Sequence, residues 1–239
     1  MVRLSVNVNK VATLRNARGG DNPNVLEAAR ACVAAGAHGI TVHPRPDGRH
    51  IRYQDVHDLA AALDVELNVE GYPAPELLDL VCAVRPAQCT LVPDPPDVLT
   101  SNAGWRLDGD TARLGDVLAR LRAHGIRTSL FLDPDPEAVA RARALGADRI
   151  ELYTMDYARA FGTAEQEAVF ARYQRAAVAA GAHGLGLNAG HDLDLRNLPY
   201  LVAHLPGLLE VSIGHALIAD ALYRGLAATV RDYLAAVAA

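Results

Sequence analysis

The sequence predicts an α/β fold, a single (β/α)8 TIM barrel with extra short helices, forming one catalytic domain over residues 1–239. Three observations predict it. Short β-rich runs alternate with longer amphipathic helical stretches along the whole chain, the pattern of repeated βα units and a parallel sheet. Eight such units can be counted, and 239 residues suit one closed barrel, which takes about 250. No Ser/Gly-rich linker or low-complexity segment interrupts the series.

The strands, in order, are LSVNVN (4–9), GITVH (39–43), ELNVEG (66–71), QCTLVP (88–93), RTSLFLD (127–133), RIELYT (149–154), GLGLNAG (184–190) and LEVSIGH (209–215). The clearest helical stretches between them are NPNVLEAARACVAAG, APELLDLVCAVRP, TARLGDVLARLRAHG, PEAVARARALGA and the final ALIADALYRGLAATVRDYLAAVA, with apolar residues at helical spacing. In AAGAHGITV, RAHGIRTSL, ALGADRIEL and AAGAHGLGL a helix runs into a small-residue stop and then a strand. Glycine there supplies a left-handed C-cap that turns the chain back into the barrel.

Two connections stand out. ATLRNARGG after the first strand, with Arg15 and Arg18, reads as a long loop and candidate lid, hinged at Gly19 and Gly20, whose closure would bring Arg18 over an anionic substrate. MDYARAFGTAEQ after the sixth strand exceeds a minimal βα connection and predicts an extra short helix beside the mouth. An open doubly wound sheet would want G-x-G-x-x-G after the first strand, and NKVATLRNARGGDNPN does not fit it.

Composition narrows the function classes. Hydrophobic residues make up 51% and charged residues 21% of the chain, as in a soluble globular enzyme. A net charge of −5 and the lack of a basic run remove any electrostatic basis for binding nucleic acid or an anionic membrane. The chain opens almost directly on a strand and has no 18-residue apolar run, so a cytoplasmic protein is expected. Cys32, Cys82 and Cys89 are odd in number and widely spaced, the pattern of buried free thiols. Lys10 is the only lysine among 23 Lys and Arg residues, which singles it out where a compact ammonium is needed.

In a barrel, chemistry is built at the C-terminal ends of the strands. Here the first strand ends in Asn7, Asn9 and Lys10, the second in His43 followed by Arg45, the third in Glu70, the seventh in Asn188 and His191, the eighth in Gly214 and His215. Converging on one rim, His and Glu become usable general acids and bases. Metal binding is the competing use of His43, Glu70, His191 and His215, but no H-x-H or H-E-x-x-H spacing supports it and no metal is assigned. Phosphate fits better. Gly190 and Gly214 in NAGHD and SIGHA let the backbone approach an anion, with Ser212 or His215 as added donors. A second anion site is predicted from Arg45, Arg49 and His50 of HPRPDGRHI with Thr100 of LTSNAG. Two other readings stay open at this level: a Schiff-base aldolase or lyase acting on a ketose phosphate through Lys10, and a non-catalytic phosphate-ligand binder on a barrel scaffold.

The run NVNKVATLRNARGG, then GITVHPRPDGRHI, LNVEGYP, TLVPD with LTSNAGW, SLFLD, GLNAGH and SIGHALI resembles the pyridoxine 5'-phosphate synthase family along nearly the whole chain. The resemblance implies condensation of 3-amino-2-oxopropyl phosphate with 1-deoxy-D-xylulose 5-phosphate to pyridoxine 5'-phosphate, phosphate and water, with no metal or organic cofactor. It implies His43, Glu70 and His191 as acid-base groups. Arg45, His50 and Thr100 would hold the deoxyxylulose phosphate; Asn7, Arg18, Asp192, Gly214 and His215 would hold the amino ketone phosphate. A homo-octamer is implied as well. Three departures from well-known members are visible: Asn9 and Lys10 replace Asp-His at a substrate-contacting place, Asp192 replaces Gly, and Ser212 replaces Asn before Ile-Gly-His.

Overall fold

The computed structural model describes residues 1–94 and 103–238. In chain order the elements are β1 Arg3–Asn7, α1 Asn9–Asn16, α2 Val25–Ala34, β2 Gly39–Val42, α3 Tyr53–Ala62, β3 Glu66–Gly71, α4 Pro75–Val84, β4 Gln88–Leu91, α5 Ala112–Ala123 and β5 Arg127–Leu132. They continue with α6 Pro136–Leu145, β6 Arg149–Tyr153, α7 Met155–Ala160, α8 Gln166–Ala182, β7 Gly186–Gly190, α9 Leu198–His204, β8 Leu208–Ile213, α10 His215–Arg224 and α11 Leu226–Val237. The parallel strands close in sequence order, with β1 pairing β8 from Arg3↔Glu210 to Val6↔Ile213. The predicted barrel is therefore present, and so is the extra helix after the sixth strand, as α7.

The strands alternate sharply. Leu4, Val6, Ile40, Val42, Val69, Leu91, Ile150, Leu152, Ala189 and Val211 are fully buried and pack into the apolar layer shared with the helices. The alternate set is largely polar: Ser5, Thr41, Asn68, Gln88, Thr90, Ser129, Glu151, Asn188 and Glu210 are all buried. Within the barrel these groups bond to one another. Ser5 Oγ lies 2.7 Å from Thr41 Oγ1, Thr90 Oγ1 donates to Asn68 Oδ1 at 3.0 Å, and Arg127 Nε donates to Gln88 Oε1 at 2.9 Å. At the N-terminal end Glu66 accepts from both Arg3 and Arg127. A polar lumen, largely joined by mutual hydrogen bonds with the buried Ser129 Oγ as an exception, replaces the branched aliphatic layers more usual in such barrels.

Helix starts and stops follow local chemistry. Asn24 caps α2 by accepting from Glu27 N at 2.9 Å, Asp135 caps α6, and Gly36, Gly125, Gly146 and Gly184 all have positive φ at the helix-to-strand turns, as the punctuation predicts. Two predictions need correction. The segment after the first strand is not a loop: Val11, Ala12 and Arg15 form a buried helical face and residues 9–16 are α1, with Gly19 and Gly20 in left-handed conformation beyond it. The last helix is not continuous, because Gly225 at φ 82° and ψ 143° cannot sit in a helix and divides α10 from α11. Cys32, Cys82 and Cys89 are free. Among the described residues no helix is long and apolar enough to cross a membrane.

Candidate active site

The ends of β1, β2, β3 and β8 bring one group of predicted residues together. Asn7 Nδ2 donates to Glu70 Oε2 at 3.5 Å, and His43 Nδ1 lies 4.0 Å from the same oxygen. Asn7 Oδ1 accepts from Asn9 N at 3.0 Å, and Asn9 Oδ1 accepts from His43 N at 2.9 Å. Asn9 and Lys10 lie on the first turn of α1, so Asn9 is not on the strand predicted over 4–9. Asn9 in place of an aspartate keeps the acceptor oxygen that fixes the His43 backbone while removing a charge. Lys10 is exposed. The His50 ring meets His43 edge-on with centroids 6.1 Å apart, and Arg45 is buried beside them. Arg18 is exposed just beyond α1. Thr100 lies outside the described residues.

Burial pushes the Glu70 carboxyl up to about 7, opposed by a hydrogen bond from Ser212. Burial also pushes His43 down to about 3, helped by Arg45, His50 and Arg49, and His50 down to about 4, helped by Arg45, Lys10 and Arg49. At neutral pH the pocket therefore holds two neutral imidazoles and a carboxyl near half-ionisation. A group so poised exchanges protons with little driving force in either direction, the condition for repeated acid-base steps.

His191 and Asp192 form a different arrangement at the end of β7. Both have left-handed backbone, φ 83° and 56°, uncommon for residues with a Cβ. The turn is held from below: buried Thr154 donates from Oγ1 to Gly190 O at 2.8 Å and also to His191 O, and Asn197 Nδ2 donates to Asp192 O at 3.1 Å. The result aims the His191 Nδ1 edge at Asp192 Oδ2, 2.9 Å away, and stands the ring edge-on to Tyr153 with centroids 4.9 Å apart. The His191 hydrogen bond holds the Asp192 carboxyl below its usual range.

Sequence reasoning missed the carboxylate between these groups. Glu151 on β6 is 4% exposed, and burial, with Glu70 and Glu210 nearby, raises it well above an ordinary carboxyl. Its place explains Gly190, because a Cβ there would collide with the Glu151 carboxylate. Gly214 likewise leaves room for Asn7, whose Cβ would lie 3.0 Å from an added methyl. These two glycines thus make space for protein side chains. His215 is the exposed first residue of α10. A signal for Glu151 was present: in RIELY an acidic residue alternates with Ile150 and Leu152, which a strand buried on both faces does not tolerate without a function or a partner. Among the described residues no cluster of three or more His, Cys, Asp or Glu side chains could hold a metal ion.

Residues 4–239 match the family model described as Pyridoxal phosphate biosynthesis protein PdxJ. The chain belongs to this family. Relatives named pyridoxine 5'-phosphate synthase include those of Bacteroides thetaiotaomicron, 56% identical over 233 residues with 98% of each chain covered, and Porphyromonas gingivalis, 56% identical over 237 residues with the same coverage. Beyond PdxJ proteins, the barrel is similar to Mycobacterium tuberculosis tryptophan synthase, with a TM-score of 0.66, 15% identity and 99% and 92% of the two chains covered. It is also similar to Thermotoga maritima phosphoribosylanthranilate isomerase, with a TM-score of 0.62, 14% identity and coverage of 100% and 99%. Those two likenesses are of fold alone.

Proposed function

We propose that this PdxJ-family enzyme condenses 3-amino-2-oxopropyl phosphate with 1-deoxy-D-xylulose 5-phosphate into pyridoxine 5'-phosphate, releasing phosphate and water, with Glu70, His43 and His191 moving the protons. The single observation that carries the reading is Glu70, raised to about 7 and 4.0 Å from a His43 ring held neutral. Imine formation, dehydration, phosphate loss and aromatisation need protons taken and returned at several atoms. Glu70 serves as the principal base. His43, neutral and facing the Arg45–His50 loop, exchanges protons at the deoxyxylulose portion. His191 takes up a proton at its outer edge and passes it on, with Asp192 at Nδ1 stabilising the charged ring in between, as a carboxylate does for a catalytic imidazole elsewhere.

In the same proposal Arg45, His50, Lys10 and Thr100 hold the deoxyxylulose phosphate, and Asn7, Arg18, Asp192, Gly214 and His215 hold the amino ketone phosphate. Asn9 acts through its bond to the His43 backbone. The exposed position of Lys10 on α1 favours a charge contact with phosphate over a Schiff base, which needs a desolvated amine. Assembly into a homo-octamer belongs to the proposal too, and light scattering on the purified protein tests it. Activity is tested by supplying both substrates and following phosphate release with the pyridoxine phosphate chromophore. No product across pH 6 to 9 would end the reading.

A further inference from the structure

The corrected first connection holds a network that the proton-transfer reading does not use. Arg15 is 2% exposed and points from α1 into the base of the loop between β2 and α3. Its guanidinium grips Asp55 at the start of α3 with two bonds, 2.6 Å and 3.0 Å, and Nη2 also donates to His50 O at 3.1 Å. Asn16 completes the grip. Its Nδ2 donates to Gly48 O at 2.9 Å and His50 O at 2.8 Å, while Oδ1 accepts from Arg15 Nε at 3.0 Å and Arg52 Nη2 at 2.9 Å. Both hydrogens and both lone pairs of this carboxamide are used. At the other end of the same helix, Asn9 holds the His43 backbone. The loop from His43 to Arg52 is therefore tied to α1 at both of its ends.

We propose that Arg15 and Asn16 are positioning residues for the phosphorylated ketose: they clamp the His50 and Gly48 carbonyls to α1, so that Arg45 and His50 on the loop keep one fixed spacing from Lys10 on the helix. Arginine and histidine recognise phosphate by directed bonds whose strength depends on geometry. A loop with Gly48 at φ 61° and several charged side chains would otherwise sample many arrangements and lose binding to that freedom. The inference rests on the reading above that Arg45 and His50 hold the deoxyxylulose phosphate.

The experiment is steady-state kinetics with each substrate varied in turn for the wild type, N16A, N16D and R45A, with amide hydrogen exchange on the same proteins. Asn16 is preferred to the buried Arg15, whose loss would leave Asp55 uncompensated and confound positioning with folding. N16A should raise KM for 1-deoxy-D-xylulose 5-phosphate about ten-fold, leave kcat and the amino ketone KM within about two-fold, and speed exchange over residues 47–52 but not in the strands. N16D keeps the acceptor oxygen and lacks the N–H donors, so it should behave as N16A does. An unchanged ketose KM in N16A beside a raised one in R45A overturns the clamp and spares the subsite. An unchanged ketose KM in R45A removes the subsite reading itself. A lower melting temperature with kcat reduced and KM unchanged in N16A would mark a merely structural role and also overturn the clamp.

Discussion

The two histidines given to proton transfer are built in opposite ways. His43 sits outside the left-handed region, just past the end of β2, kept neutral by burial and by neighbouring Arg45 and Arg49, and its nearest carboxylate oxygen is 4.0 Å away. His191 sits on strained left-handed backbone, 27% exposed at its side chain, with a carboxylate 2.9 Å from Nδ1. The first environment disfavours a bound proton, whereas the second supports positive charge as it forms. One rim thus presents an imidazole kept neutral and one with a carboxylate at its Nδ1, and the difference comes from neighbours and backbone rather than from residue type.

Glu70 stands on the His43 side, 4.0 Å from that ring, and its loss is the largest effect expected. E70Q should lower kcat by about a thousand-fold, within the usual range for removing a general base. The acidic limb of the wild-type kcat/KM profile near pH 7 should vanish from whatever activity remains; a retained limb would assign that titration elsewhere.

The next effect isolates His43. Unfolded histidine takes up a proton below about pH 6.5, whereas the folded ring stays neutral down to about 3. Between those values the unfolded chain binds more protons at this position, so its contribution to stability is complete above pH 6.5 and is lost as pH falls toward 3, by on the order of a few kcal/mol. Urea unfolding of H43N between pH 7 and pH 4 should show a smaller loss than the wild type. Identical slopes would mean that His43 is not held neutral and would erase its contrast with His191.

Smaller effects probe the His191 side. D192N keeps a residue type that tolerates left-handed backbone but removes the charge, and kcat should fall about ten-fold. An unchanged kcat would show that Asp192 acts through shape alone. D192G should be more stable than D192A by about 1 kcal/mol, because only glycine meets φ 56° without a Cβ penalty. Equal stabilities by chemical denaturation would contradict the strained geometry on which the contrast depends.

Most of the barrel was legible because each strand carries its own pattern and each αβ turn its own glycine. The limits are instructive. The peptide AAGAHG occurs twice, at 34–39 and 179–184. In the first copy the helix ends at Ala34 and Gly36 is left-handed, while in the second the helix continues through Gly181 and the left-handed residue is Gly184. Identical residues thus stop two helices at different glycines, so local propensity alone does not set where a helix ends. Helix α1 was illegible for a related reason: NKVATLRN buries only Val11, Ala12 and Arg15, and an arginine whose charge is satisfied by Asp55 looks in sequence like a solvent-facing cation. His43, Glu70 and His191 were readable as strand ends. Glu151 carried only the signal of an acidic residue between Ile150 and Leu152, since its importance lies in being inward on β6, near acidic groups from strands distant in sequence.

Gly190 and Glu151 constrain how this protein can change. Enlarging residue 190 collides with the carboxylate of residue 151, and shortening residue 151 first withdraws that carboxylate from beside Glu70. Neither order of single steps passes through an undisturbed pocket. The two positions therefore form one heritable unit, and a randomised library that varies either alone will return mostly the starting residue, whereas one that varies both together can find a new pair.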